Sequence, residues 1–66
     1  MNKFIMLPDL DSGIIYNIHI DHISCYHSAG VKERDGVCII LTSGKEVLIN
    51  GTLLHVEEVI RKAFEN

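Results

Sequence analysis

The sequence has no tryptophan and only two phenylalanines and two tyrosines, so any core it builds is mainly aliphatic and its margin of burial is thin. A folded chain of this size buries only about 60 % of the surface its unfolded form exposes. Its 66 residues suffice for one domain and exclude a two-domain enzyme. Two cysteines, Cys25 and Cys38, are too few for a disulfide framework and fit a reducing compartment. The longest uninterrupted apolar run is five residues, Val37 to Leu41, far short of a membrane span. The start Met1-Asn2-Lys3-Phe4 lacks the apolar stretch and small residues of a secretory leader, so the expected location is cytoplasmic. Six basic residues against nine acidic ones give a net charge of −3. The bases are scattered, with no stripe able to neutralise several phosphates, so neither nucleic acid nor membrane insertion is expected.

What the chain does have is hydrophobic side chains, 47 % of the total, in short alternating runs. Pro8 lacks an N–H and ends a first apolar run, which predicts a short edge strand over 2–7. Asp9-Leu10-Asp11-Ser12-Gly13 is turn chemistry, because Asp and Ser bond nearby backbone and Gly permits positive φ. Residues 14–20 alternate, and the phase then slips at Asp21-His22, where a bulge or tight turn would re-aim the chain into a third strand over 23–27. Residues 28–36 read as an exposed charged loop containing Lys32, Glu33, Arg34 and Asp35.

The segments 37–42 and 45–50 read as a hairpin joined by the two-residue loop Ser43-Gly44. In that register Val37, Ile39, Leu41 and Leu48 share one face, while Cys38, Ile40, Val47 and Ile49 share the other. Both faces are then apolar. Residues 52–65 read as an amphipathic helix capped by Thr52, with Glu57–Arg61 and Glu58–Lys62 pairs on its wet side. One helix covers one face only, so the other is covered either by the N-terminal strands wrapping over it as a small barrel or by a second subunit; the second reading makes the face of Val37, Ile39, Leu41 and Leu48 the expected self-association surface. The expected fold is α+β: a small antiparallel sheet of four to five strands with one C-terminal helix, in a single domain over 1–66.

The order of motifs has a recognisable shape. Gly13-x-x-Tyr16-x-Ile18 is followed by Asp21-His22-Ile23, then Ile39-Ile40-Leu41-Thr42-Ser43-Gly44-Lys45, then Val56-Glu57-Glu58-Val59-Ile60. This layout resembles the FlbD/SwrD-type family of small flagellar and swarming-motility proteins. The loop 28–36 replaces that family's tight turn, and Asn17 stands where the family carries an acidic residue. The resemblance implies a non-enzymatic accessory protein near flagellar machinery and brings no catalytic residues or cofactor.

Three histidines, one cysteine and one aspartate fall between His19 and His27, and imidazole and thiolate are preferred zinc ligands. His19, His22, Cys25 and His27 are therefore the candidate metal ligands. The spacing of a zinc finger is absent, and histidines alternating with core residues on a wet strand face explain the pattern as well. Cys25 as a nucleophile lacks an evident oxyanion donor, and Cys38 reads as a small buried hydrophobe. The leading expectation is a non-catalytic, cofactor-free protein that binds itself and another protein, with the loop residues Lys32, Glu33, Arg34 and Asp35 available for contact. A phage or mobile-element inhibitor that blocks a host complex or sequesters a small ligand is one alternative. A His/Cys metalloprotein is the other.

Overall fold

The computed structural model describes residues 3–30 and 34–65. The architecture is α+β, and the described residues form five strands and one C-terminal helix: β1 (Phe4–Pro8), β2 (Ile15–His19), β3 (Ile23–Ser28), β4 (Gly36–Leu41), β5 (Glu46–Asn50) and α1 (Leu53–Glu65). The strands do not form the expected single sheet. They make two antiparallel sheets, β1–β2 and β3–β4–β5. The division falls where the alternation slips: Ile20–His22 winds into one 3-10 turn, and a register shift follows between Ile23 and Cys25. That corner carries the chain from one sheet into the other.

Backbone hydrogen bonds extend each sheet's ladder by one residue at the corner, and a separate pairing past Pro8 joins the two sheets. Ile20 N–H donates to the Lys3 carbonyl at 2.9 Å, and Thr42 N–H donates to that of His22 at 2.7 Å. Past Pro8, Asp9 bridges to Ile49, and Leu10 N–H reaches the Leu48 carbonyl at 3.0 Å. Pro8 itself has no N–H to give, but the Asp9 N–H still donates to the Ile14 carbonyl at 2.7 Å, so the chain turns to β5 only at Leu10.

The β4–β5 hairpin differs from its expected register by one residue. Val37 pairs with Ile49, Cys38 with Leu48 and Ile39 with Val47. Leu41 N–H donates to the Lys45 carbonyl, so the loop is Thr42-Ser43-Gly44, three residues rather than two. Gly44 adopts φ 93°, the left-handed position that closes a three-residue hairpin and that glycine occupies without steric cost. A one-residue slip exchanges the faces of one strand relative to its partner. Val37 and Ile39 therefore share a face with Val47 and Ile49, and Leu48 lies on the opposite side with Cys38 and Ile40.

The core forms where the two sheets and the helix meet. Ile5 and Leu7 from β1, Ile18 and Ile20 from the second strand and its corner, Val37, Ile39, Val47 and Ile49 from the hairpin, and Val56 and Ile60 from the helix make one buried cluster. The helix starts where the sequence places it: Thr52 Oγ1 accepts from His55 N–H at 3.1 Å, a side-chain N-cap. On its wet side Lys62 pairs with Glu58 at 3.6 Å, whereas Arg61 reaches Glu58 and Glu65 rather than the expected Glu57. Glu57 instead accepts from the Tyr26 hydroxyl at 3.4 Å, tying helix to sheet.

Candidate functional site

The expected association face of Val37, Ile39, Leu41 and Leu48 does not exist as a surface. Val37 and Ile39 are wholly buried, Leu41 packs against the same core, and only Leu48 is exposed, on the other side of the sheet. The cause is the three-residue turn, together with the cover that β1 and β2 share with the helix.

Exposed apolar surface is found instead on the two-stranded sheet. Alternation along β1 sends Ile5 and Leu7 inward and leaves Phe4 and Met6 outward, 46 % and 69 % exposed. Their cross-strand partners are His19 and Asn17, and Pro8 pairs with Ile15, itself 55 % exposed. The outer face of β1–β2 thus presents Phe4, Met6, Pro8, Ile15, Asn17 and His19. Ile14 at its margin is also exposed. None of these residues carries a formal charge at neutral pH when histidine is neutral. The helix, by contrast, turns Glu57, Glu58, Arg61, Lys62 and Glu65 to water.

The sequence held a signal for this face that alternation arguments passed over. Phe4-Ile5-Met6-Leu7 is apolar at both parities, and on a strand consecutive side chains point to opposite sides. Half of such a run in a two-stranded sheet must be left outside.

At the end of this face the rings of Phe4 and His19 meet edge to face, with centroids 4.8 Å apart, and His22 lies 5.2 Å beyond His19. His19 Nδ1 accepts the Asp21 N–H at 3.1 Å, capping the 3-10 turn. Of the four candidate metal ligands, His19 and His22 come together at this corner, whereas Cys25 and His27 lie on the outer face of the three-stranded sheet, opposite Ile40 and Cys38. Among the described residues no three His, Cys, Asp or Glu side chains converge on a point that could hold a metal ion.

Cys25 is exposed and Cys38 buried, and both thiols are free. Burial, and then the Glu46 carboxylate that accepts its S–H at 3.5 Å, push the Cys38 thiol above its ordinary range. That environment suits an inert packing residue, not a nucleophile.

Of the expected contact loop, Lys32 and Glu33 lie outside the described residues. Arg34 is already engaged: its guanidinium donates to the Leu10 carbonyl and pairs with Asp11 at 3.1 Å. Asp35 is exposed, with its carbonyl accepting from Gly51 N–H at 3.3 Å. Arg34 therefore fastens the loop to the turn after β1 in place of offering a free cation.

That turn is organised by Asp9. Its Oδ2 accepts from Ser12 N–H at 2.9 Å and Asp11 N–H at 3.0 Å, and its Oδ1 accepts from the Tyr16 hydroxyl at 3.0 Å. The Ser12 and Asp11 backbone donors, in that order, lower its pKa from 3.8 to about 2. A carboxylate with a depressed folded pKa stabilises the fold above its unfolded value, and this contribution is lost as pH falls through the folded value. Thermal melts should therefore show a drop in Tm between about pH 4 and about pH 2. Asp9→Asn should melt lower at neutral pH and show a shallower drop across that window. An unchanged slope would mean that the acid sensitivity arises elsewhere.

In comparisons with known proteins, no family model, no curated protein and no solved structure matches the chain.

Proposed function

We propose that this protein is a non-catalytic interaction module that associates with a second copy of itself through the outer face of β1–β2. The observation that carries the reading is the uncharged apolar surface of Phe4, Met6, Pro8 and Ile15. The chain carries a net charge of −3, and this face brings no like charges together. A two-stranded sheet is also marginal alone in water, and covering its outer face supplies burial that a small core lacks. The association proposed is reversible and depends on concentration.

The two free thiols suit a reducing, cytoplasmic setting. An accessory role beside flagellar machinery is supported by the motif resemblance alone.

Sedimentation or light scattering across about a hundredfold concentration range tests the reading. The wild type should pass from monomer to dimer. Met6→Asp, at a side chain 69 % exposed, should remain folded yet stay monomeric, because the dimer would have to desolvate a carboxylate on each copy. A wild type that is monomeric throughout, or a Met6→Asp dimer of equal strength, overturns the proposal.

A further inference from the structure

We infer that His19 makes self-association through this face proton-sensitive: neutral, it belongs to the seam beside Phe4, and protonated, it places a positive charge there on each copy. The inference rests on the association proposed above and adds its regulation. His19 pairs across the strands with Phe4, faces outward with it, and keeps only 23 % of its side chain exposed before any partner arrives. Its Nδ1 is committed as an acceptor to the Asp21 N–H, so the neutral ring carries its hydrogen on Nε2. Protonation converts Nδ1 into a second donor aimed at an N–H, and the cap is lost.

The charged groups around His19 leave the sign unchanged. The Asp21 carboxylate, 3.9 Å from Nδ1, favours the imidazolium, but it is 71 % exposed. At the rim it remains in water in monomer and dimer alike, so its attraction largely cancels. His22, on the same turn, repels the imidazolium when it too is protonated. From β1 the neighbours are the uncharged Phe4 and Met6, and the Lys3 ammonium is directed to the Phe64 carbonyl and ring. Asn17 is neutral. What differs between monomer and dimer is desolvation, which disfavours the charged ring in the dimer. Dimer dissociation therefore takes up protons, and association weakens as pH falls through the histidine range.

The test measures the dimer dissociation constant at about pH 7.5 and about pH 5.5 for the full chain. With two His19 rings per dimer, the constant should rise by about tenfold or more at the lower pH. His19→Asn keeps a neutral acceptor for the Asp21 N–H, as asparagine does at helix N-caps, and its dimer should change less than about twofold between the two pH values. His22→Asn should retain most of the dependence. No wild-type dimer at the higher pH overturns the association itself and the inference with it. A dimer that ignores pH, or a His19→Asn dimer that still dissociates at low pH, overturns only the inference.

Discussion

Ile39→Ala should leave the chain largely unfolded near body temperature, whereas Leu48→Ala should melt within a few degrees of the wild type. Truncating a fully buried isoleucine costs about 2–5 kcal/mol, through lost transfer energy and the cavity left behind. A domain of this size has roughly 3–10 kcal/mol in total. Ile39 is 0 % exposed and belongs to the central cluster, so the loss approaches the whole stability. Leu48 is 41 % exposed on the far side of the same hairpin and should cost under about 1 kcal/mol. Urea titration of the two variants reads the difference directly. The pair also tests the register, because a two-residue loop would place Ile39 and Leu48 on one face and predict similar costs for both.

Val56→Asp should be more damaging still, and Leu54→Asp nearly silent. Val56 is fully buried on the helix face that closes the core. A carboxylate placed there would sit among the aliphatic side chains of the core, and an unpaired buried charge costs about 3–5 kcal/mol. Circular dichroism should show a chain that does not reach the folded signal. Leu54 is 78 % exposed, in the first turn of α1, where a negative charge interacts favourably with the helix dipole. Its replacement should shift stability by no more than about 0.5 kcal/mol in either direction. Equal damage from both would mean that the helix does not dock by the Val56–Ile60 stripe.

Local chemistry made most of the elements legible. Pro8, the phase slip at Asp21-His22 and the Thr52 cap each mark a boundary through a backbone requirement that the neighbouring residues cannot override. The hairpin loop was ambiguous because Thr42, Ser43 and Gly44 suit either a two- or a three-residue turn, and the choice rests on the left-handed Gly44. That single choice decides which β5 side chains share a face with Val37 and Ile39, so an error of one residue put Leu48 on the wrong side, while the cover over the rest of that face comes from β1, β2 and the helix. The division into two sheets was illegible for a different reason. It depends on which strands pair on either side of the Ile20–His22 corner, and the Asp9–Ile49 bridge that joins the two sheets is equally long-range, so no local pattern encodes either. The role of Arg34 was hidden in the same way, since its partners, Leu10 and Asp11, lie on the far side of two strands.

A chain without tryptophan carries its near-ultraviolet signal in tyrosine, and the two tyrosines here are placed at different joints. Tyr16 donates its hydroxyl to Asp9 within the turn that links the first two strands. Tyr26 donates to Glu57, across the contact between the helix and the larger sheet. Each phenol is thus a spectroscopic gauge of one joint, and silencing one with phenylalanine isolates the reading of the other. Opening of the turn and undocking of the helix become separately visible without attaching any dye.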